Sequence, residues 1–209
     1  MEDVLEVYAR PRDPLRPLVC LDEFCKQLIG DAREGVPAQP GQPERQDYEY
    51  VRHGMCSVFM AYSPLESWRE VRVTGQRTAR DYAQTIRWLC DEVYPSADKI
   101  VLVQDNLNTH TPASLYEAFD PAEALRLKER IEWHYTPKHG SWLNMAEIEI
   151  GVAQRQCLSR RIAERTQVER ELHQWSQARN ASQATTEWQF TTKDARVKLK
   201  RLYPSNTPE

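Results

Sequence analysis

Two apolar runs that lead into an acid constrain the fold of this chain more than any other feature. Leu18–Leu21 runs directly into Asp22, and Ile100–Val103 is followed by Gln104 and Asp105. A short apolar run of this kind is typical of a strand that is buried within an α/β protein. Polar residues that follow such strands are well placed to form a functional site. The sequence therefore predicts buried strands that deliver two carboxylates to one region of the molecule.

Periodicity and turn residues predict the order of the other elements. Strands are predicted from Leu18, over Met55–Tyr62 and over Trp68–Thr74, and a helix capped by Thr78 is predicted to about Val93. The later predicted elements are a strand at Ile100–Gln104, helices at Pro112–Phe119 and Ala122–Arg130, a strand at Ile131–Tyr135, and helices at Leu143–Arg161, Gln167–Ala178 and Thr192–Lys200. This order is that of an α/β RNase H-like fold, with a mixed five-stranded sheet of three antiparallel strands and then two parallel ones, flanked by helices. It also fits a generic mixed α/β protein.

Three regions are predicted along the chain. Residues 1–17 are expected to form an extended N-terminal linker, because Pro11, Pro14 and Pro17 fall close together. Residues 18–165 are expected to form one α/β domain, in which residues 35–44 are a loop rich in proline and glycine. Residues 166–209 are expected to form a basic helical extension that packs on this domain or follows it.

Composition excludes several classes of protein. The chain has 209 residues, of which 28% are charged and 40% hydrophobic, as in an ordinary globular domain. It has neither an apolar stretch long enough to span a bilayer nor a secretion signal, so we expect no membrane role and a cytoplasmic location. Five cysteines without a Cys-x-x-Cys pair argue against a disulfide framework and a zinc ribbon, and we expect them to be reduced core residues.

Charge is unevenly distributed. Residues 1–154 carry 17 basic and 25 acidic side chains, whereas residues 155–209 carry 11 basic and 6 acidic ones. The basic C-terminal part, which includes Arg160 and Arg161, is expected either to contact phosphates or to be a solvated helix face. Charge alone does not distinguish these alternatives.

A third acid, Glu147, lies near the start of a predicted helix. Carboxylates from two strands and one helix can converge to bind a pair of Mg²⁺ ions. The alternative for Asp22 is a strand-end acid that caps a backbone amide, and the alternative for Asp105 is a turn favoured by the following Asn106.

Glu149 is the other acid of the predicted helix. Glu147 and Glu149 are two residues apart, so their side chains point in directions that differ by roughly 200° around the helix axis. Only one of them can therefore face the site. Glu147 shares a stripe with Leu143, Ile150 and Gln154, and Glu149 is expected to face solvent or to pair with a base.

Three local motifs resemble those of the DDE transposases of the mariner-type superfamily, most closely the bacterial insertion-sequence branch. Asp105 and Asn106 followed by His110 resemble the Asp-Asn-x-x-x-His signature, and Leu143–Glu147 resembles a Leu-Asn-x-x-Glu motif. The segment Tyr135–Asn144 resembles the loop before the catalytic helix. The interval of 42 residues between Asp105 and Glu147 is longer than in eukaryotic mariner members and favours the insertion-sequence branch.

The resemblance implies a transposase that performs metal-dependent DNA end cleavage and strand transfer in cut-and-paste transposition. Asp22, Asp105 and Glu147 would be catalytic and would bind two Mg²⁺ or Mn²⁺ ions, with DNA as the substrate. The residues expected to contact DNA are Asn106, His110, Lys138, His139, Arg160 and Arg161, with a structural role open for His110. Trp142 is expected to pack under its loop rather than stack on a base. A zinc site at the histidines is rejected, because Cys partners and a helical His-x-x-x-His pair are lacking.

One departure from this family concerns DNA recognition. Its members carry helix-turn-helix modules ahead of the catalytic domain, whereas only 21 residues precede Asp22 here. We therefore expect such a module to be supplied separately or to be missing, and we expect a homodimer in the synaptic complex and association with the bacterial nucleoid. The alternatives are another RNase H-like nuclease and a catalytically silent, transposon-derived DNA-binding protein.

Overall fold

The computed structural model describes residues 1–33, 35–43, 45 and 47–203. The strands are β1 (Leu18–Asp31), β2 (Tyr50–Ser63), β3 (Trp68–Thr74), β4 (Ile100–Gln104) and β5 (Ile131–Tyr135). The helices are α1 (Glu2–Tyr8), α2 (Ala79–Trp88), α3 (Ala113–Ala118), α4 (Pro121–Glu129), α5 (Met145–Gln156), α6 (Arg165–Ala181) and α7 (Thr192–Lys198). Glu44 of the predicted loop and residues 204–209 of the predicted extension lie outside the described residues.

The five strands form one sheet in the order β3-β2-β1-β4-β5. Strands β1, β2 and β3 pair antiparallel, whereas β4 pairs parallel to β1 and β5 parallel to β4. The predicted mixed sheet, with three antiparallel strands followed by two parallel ones, is therefore confirmed. The antiparallel strands β1, β2 and β3 are joined without a helical crossover, whereas each parallel strand follows a crossover that contains helices.

Strands β1 and β2 extend beyond their predicted apolar segments. Each has 14 residues, and their pairing continues to Asp31 and Tyr50 with a register shift between Gln27 and Ile29. The outer half of this hairpin is largely exposed, so its side chains lack the apolar alternation that marks a half-buried strand. The backbones of β1 and β2 therefore pair in a region where the side-chain pattern does not predict a strand.

The sheet separates two hydrophobic cores. One face, which we call the α2 face, carries Leu21 and Leu102 and packs against α2, α3 and α4 through residues such as Tyr82. The opposite face, which we call the α5 face, carries Cys20 and Val103. Its core is completed by residues of the terminal helices and of α5, namely Val4, Leu5, Val7, Ala146, Ile150, Ala153, Val168, Leu172, Trp175 and Ala195. Both chain ends therefore contribute to the core that supports α5.

The N-terminal segment was expected to be extended, and this expectation was wrong for Glu2–Tyr8, which form α1. The three prolines on which it rested all follow this helix and leave it uninterrupted. Val4, Leu5 and Val7 are buried on one side, and Glu2 and Asp3 occupy the first turn, where negative charge is favourable.

Some helix ends also differ from the prediction. Helix α5 begins at Met145 rather than Leu143, because Asn144 caps it by accepting a hydrogen bond from the backbone N–H of Ala146. It ends at Gln156, five residues before the predicted Arg161. The α-helical part of α2 ends at Trp88, and a π-helical turn over Leu89–Val93 follows it, up to the predicted end of the helix.

The positions of the cysteines can be compared with the expectation that they are reduced core residues. All five cysteines are free, but only Cys20, Cys56 and Cys90 are buried, whereas Cys25 is exposed and Cys157 is half-buried. The expectation that all five are core residues was therefore wrong for Cys25. Among the residues that the structure describes, none of the helices combines the length and the apolar character needed to cross a bilayer.

Candidate active site

Strand register brings the two strand acids together. Strands β1 and β4 pair in parallel, with Cys20 opposite Val103. Two residues further along each strand, this register places Asp22 level with Asp105. Because side chains two residues apart share a face, both acids follow the α5 face of the sheet. Asp22 within β1 and Asp105 just after β4 thus lie side by side where the pairing of these two strands ends.

Asp22 is buried, with only 8% of its surface exposed. Burial raises the pKa of its carboxyl group to about 7. The backbone N–H of Glu23, which donates to Asp22 Oδ1 at 2.8 Å, opposes the rise, while the negative charges of Glu23, Asp105 and Glu147 add to it. The influence of Asp105 and Glu147 on this pKa places all three predicted acids in one electrostatic environment.

Asp105 has a different environment from Asp22. Its Oδ1 accepts a hydrogen bond from the backbone N–H of Leu107 and lies 2.5 Å from Nδ1 of His110. Burial by itself would raise the pKa of Asp105, but the hydrogen bond and positive charge of His110 lower it below its ordinary value. Asp105 is therefore held as a carboxylate, whereas the ionised form of Asp22 is disfavoured.

His110 is buried rather than available to a phosphate, with 1% of its surface exposed. Burial by itself would lower its pKa, but the hydrogen bond to Asp105 and the negative charges of Asp105 and Glu23 raise the pKa to about 9. Its Nε2 lies 2.9 Å from Oε2 of Glu23, and its ring stacks on Tyr82 with a centroid distance of 4.8 Å. These contacts favour the structural role that the sequence left open for His110.

Glu23 is a member of this cluster that the sequence did not identify. It follows Asp22 on β1 and so faces the opposite side of the sheet, where its side chain is 4% exposed and pairs with His110 and Arg77. A second acid beside Asp22 was visible in the sequence. Its partner was not, because His110 and Arg77 are distant in sequence and meet it only through the fold.

Helix α5 brings Glu147 to the same end of the sheet. The side-chain amide of Asn144 donates to the carbonyl of Leu21 at 2.8 Å, which ties the start of the helix to the residue before Asp22. Glu147 lies in the first helical turn and is half-buried. Within the described part of the chain, its carboxylate has neither a hydrogen bond nor an ion pair to a protein group.

Glu149 points away from the site, as expected, but it does not face solvent. It is fully buried and pairs with Arg69 at 3.2 Å and with Arg179 at 2.9 Å. The expectation of pairing with a base is therefore confirmed, and that of a solvent-facing side chain was wrong. The predicted stripe of α5 is also incomplete, since Met145, Ala146, Glu149, Ile150 and Ala153 are buried whereas Gln154 is exposed.

The donor set of the three acids suits hard divalent cations, which prefer carboxylate oxygens. For Asp22 and Asp105, every hydrogen bond among the described residues goes to Oδ1, which leaves Oδ2 of each for another ligand. A cation would also relieve the mutual repulsion that contributes to the raised pKa of Asp22. In the described ranges, however, no three His, Cys, Asp or Glu side chains are already arranged to hold a metal ion.

The residues expected to contact DNA fall into two groups. Asn106, Lys138 and His139 lie near the three acids in sequence or on the loop before α5, and Lys138 and His139 are exposed. The side-chain amide of Asn106 donates to the carbonyl of Thr136, and so links the loop after β4 to the loop after β5. His139 has a positive φ of 61°, which is uncommon for a residue with a side chain.

Arg160 and Arg161 are engaged in contacts within the protein. Arg160 pairs with Glu171, and Arg161 pairs with Asp31 at 2.6 Å and also donates to the carbonyls of Tyr48 and Glu49. Arg161 therefore anchors the outer end of the β1–β2 hairpin. Its side chain is only 25% exposed, which leaves limited surface for DNA.

Trp142 remains 45% exposed on the loop before α5. Its ring stacks against Trp188, with a centroid distance of 6.4 Å, and meets Phe190 edge-on at 5.6 Å. It thus packs against the segment between α6 and α7, which the sequence did not identify as its partner. One part of the ring system remains on the surface.

Comparisons with known proteins bear on the family and the fold of this chain. Residues 17–169 match the family model described as "DDE superfamily endonuclease". The fold is similar to that of the Mos1 mariner paired-end complex with Mn, with a TM-score of 0.52 and 19% identity over 84% of this chain and 52% of the other. No curated protein sequence matches the chain.

Two other Mos1 structures also match, with lower TM-scores. The strand transfer complex has a TM-score of 0.35 and 15% identity over 86% of this chain and 58% of the other. The paired-end complex with the left transposon end has a TM-score of 0.40 and 16% identity over 90% of this chain and 62% of the other. This chain therefore spans less than two thirds of the length of the proteins that it matches.

Proposed function

The chain belongs to the DDE superfamily of endonucleases, and from this premise we propose that it is the catalytic domain of a cut-and-paste transposase. Its reaction would be metal-dependent cleavage of DNA at the ends of a mobile element, followed by transfer of the cut strand to target DNA. Assignment to the bacterial insertion-sequence branch rests on the motif around Asp105 and on its distance from Glu147. We assign the catalytic domain to residues 18–165, with both terminal segments packed against its α5-face core.

The placement of Asp22 beside Asp105, with Glu147 in the first turn of the helix that Asn144 ties to β1, supports this proposal. Strand register brings the first two together, and the negative charges of Asp105 and Glu147 contribute to the raised pKa of Asp22. An energetically unfavourable cluster of carboxylates is typical of a site built for function rather than stability. Two Mg²⁺ or Mn²⁺ ions bound here would activate the attacking oxygen and stabilise the leaving oxygen of a phosphodiester.

The surrounding residues have roles that follow from their contacts. His110 holds Asp105 through Oδ1, which leaves Oδ2 for a ligand. Asn144 holds the first turn of α5 against β1, which sets the position of Glu147 relative to Asp22. The chain's own contribution would thus be to orient anionic oxygens, and orientation of this kind is a large part of phosphoryl-transfer catalysis.

DNA is the proposed partner, and exposed bases near the site would contact its backbone. Lys138 and His139 are the best placed, because they are exposed on the loop that leads into α5. Arg160 and Arg161 would contribute less, since their side chains already pair with carboxylates. A helix-turn-helix module supplied by another segment or chain would recognise the element's ends, and two catalytic domains would act together as a homodimer.

A nicking assay tests the proposal. Supercoiled plasmid is incubated with the chain and Mg²⁺ or Mn²⁺, and the Asp22→Asn, Asp105→Asn and Glu147→Gln variants serve as comparisons. We expect metal-dependent nicking by the wild-type chain and none by the three variants. Absence of wild-type nicking, with folding confirmed, would favour a catalytically silent DNA-binding protein.

Strand transfer separates a transposase from another RNase H-like nuclease. A pre-cut oligonucleotide with a free 3′-hydroxyl is offered with target plasmid, with and without an added helix-turn-helix domain. Covalent joining of the two DNAs supports the transposase. Cleavage without joining under every condition would favour the nuclease.

A further inference from the structure

The hydroxyl group of Tyr8 contacts the backbone immediately before the candidate catalytic helix. It donates a hydrogen bond to the carbonyl of Leu143 at 2.6 Å and accepts one from the backbone N–H of Met145 at 3.3 Å. These two groups flank Asn144 on either side. A single side chain of α1 therefore holds both ends of the peptide segment from which α5 starts.

Asn144 connects this segment to the candidate catalytic residues. Its side-chain amide donates to the carbonyl of Leu21, next to Asp22, and its backbone carbonyl accepts the N–H of Glu147 at 3.1 Å. Asn144 is fully buried, so water does not compete for these bonds. A continuous set of short hydrogen bonds thus leads from Tyr8 to the backbone of Glu147 and to β1.

Helix α1 is itself fixed, so that Tyr8 has little freedom to move. Asp3 lies 2.8 Å from Nδ1 of His134 on β5, and Glu2 forms a two-point contact with Arg196 on α7 at 2.7 and 2.8 Å. The ring of Tyr8 also packs on Trp188 with a centroid distance of 5.1 Å. The hydroxyl group is therefore held at the start of α5 by contacts from several elements.

We propose that Tyr8 is a positioning residue for Glu147 and that α1 is consequently part of the active-site scaffold. This inference rests on the proposed function, because it concerns the metal-binding role of Glu147. Without the hydroxyl group, the backbone from Leu143 to Met145 loses one donor and one acceptor. The first turn of α5 would then shift or fluctuate, and Glu147 would move relative to Asp22 and Asp105. Misplacement by about 1 Å is enough to slow a reaction strongly.

The test compares Tyr8→Phe with Tyr94→Phe in the full chain. Tyr94 is a matched control, because its hydroxyl group donates to Glu66 at 3.1 Å and lies outside the Asn144 segment. Three quantities are measured: the single-turnover rate of plasmid nicking in Mn²⁺, the affinity for Mn²⁺ from the electron paramagnetic resonance signal of the free ion, and the affinity for duplex DNA.

For Tyr8→Phe we expect the nicking rate to fall about fivefold to tenfold, in line with the loss of a buried hydrogen-bonding group. The affinity for Mn²⁺ should weaken by a similar factor, while DNA affinity stays within about twofold of wild type. Tyr94→Phe should change none of the three by more than about twofold. If Tyr8 had a purely structural role, Tyr8→Phe would lower thermal stability, and the nicking rate and the DNA affinity would fall together.

A second variant tests the same set of contacts from its other end. Asn144→Ser keeps an oxygen that can cap α5 but removes the amide donor to Leu21, so it should reproduce the slower nicking and weaker Mn²⁺ binding. If Tyr8→Phe nicks DNA and binds Mn²⁺ as Tyr94→Phe does, the positioning role is wrong while the proposed function stands. If the wild-type chain neither binds Mn²⁺ nor nicks DNA, the proposed function fails and the inference fails with it.

Discussion

Nε of Arg69 donates to Oε2 of Glu149 at 3.2 Å, and both side chains are fully buried. This pair joins β3 to α5, and Arg179 adds a second base from α6. Because Glu149 lies two residues after Glu147, the ion pair fixes the rotation of α5 about its axis. The face of the helix that carries Glu147 is thereby directed to the part of β1 around Asp22.

The two helix glutamates should respond differently to substitution by glutamine. Glu147→Gln should abolish nicking and leave stability nearly unchanged, because its carboxylate has no protein partner among the described residues. Glu149→Gln should destabilise the fold by about 3–5 kcal/mol, since Arg69 would lose its buried counter-charge. Urea unfolding and the nicking assay measure the two effects.

Glu129→Gln, at an exposed position of α4, provides the control for this pair of variants. Glu149 pairs with Arg69 and Arg179, so Glu149→Gln removes none of the three candidate metal-binding carboxylates. Any loss of activity in this variant should therefore be accompanied by a loss of stability. A stable, fully folded Glu149→Gln protein would show that the buried pair contributes little.

The two strand acids should also differ when metal is absent. Asp22→Asn should raise the melting temperature in EDTA, because the ionised form of Asp22 is disfavoured in the folded protein. Asp105→Asn should lower it, because this substitution removes a carboxylate that His110 stabilises. Repulsion between the acids alone would instead predict equal or higher stability for Asp105→Asn.

Both variants should lose the rise in melting temperature that Mn²⁺ produces in the wild-type chain. Differential scanning fluorimetry with EDTA or MnCl₂ measures all of these shifts. Asp13→Asn, at an exposed position between α1 and β1, serves as the control. A Mn²⁺-induced rise in either variant equal to that of wild type would remove that acid from the metal site.

Asp22 should give the metal-free protein a characteristic dependence on pH. Its pKa rises from 3.8 to about 7 on folding, so the folded state binds more protons than the unfolded state between these values. Stability should therefore decrease as pH rises from about 4 to about 7, and Asp22→Asn should remove this part of the decrease. Urea unfolding of both proteins across this range, in EDTA, provides the measurement. Parallel curves for the two proteins would contradict the raised pKa.

His110 should produce a separate change at higher pH. Its pKa rises from 6.5 to about 9 on folding, so its contribution to stability is present below pH 6.5 and is lost as pH passes 9. His110→Gln should be less stable than wild type near pH 6, and the difference should shrink towards pH 9. His53→Gln, at an exposed histidine, is the control. A difference that stays constant with pH would show that packing, rather than charge, accounts for the effect.

DNA binding by this chain should be weak, tolerant of sequence and dependent on salt. Lys138→Gln should reduce the slope of log affinity against log salt by about 1, because an exposed lysine can release one counterion. Arg161→Gln should change this slope less, since Arg161 is paired with Asp31. Fluorescence anisotropy on duplexes of unrelated sequence, between about 50 and 200 mM salt, measures both slopes. Tight binding to one duplex that resists salt would indicate a recognition element in this chain.

The sequence by itself determined the strands, their acids and the direction of Glu147. Apolar runs at Leu18–Leu21 and Ile100–Val103 predict buried strands, because such segments are stable only when both faces are covered. The order of elements and turns predicted the mixed sheet. Helical geometry separated Glu147 from Glu149, since positions two residues apart cannot share a face.

Only the tertiary structure decided which distant groups surround these residues. Glu23 and His110 meet across the ends of β1 and β4, Glu149 reaches Arg69 on β3, and Tyr8 reaches the start of α5. None of these contacts follows from local periodicity, because each joins segments that are far apart in the chain. Local sequence determines the conformation of an element and its apolar face, whereas the pairing of buried charges and the resulting pKa values depend on packing between elements.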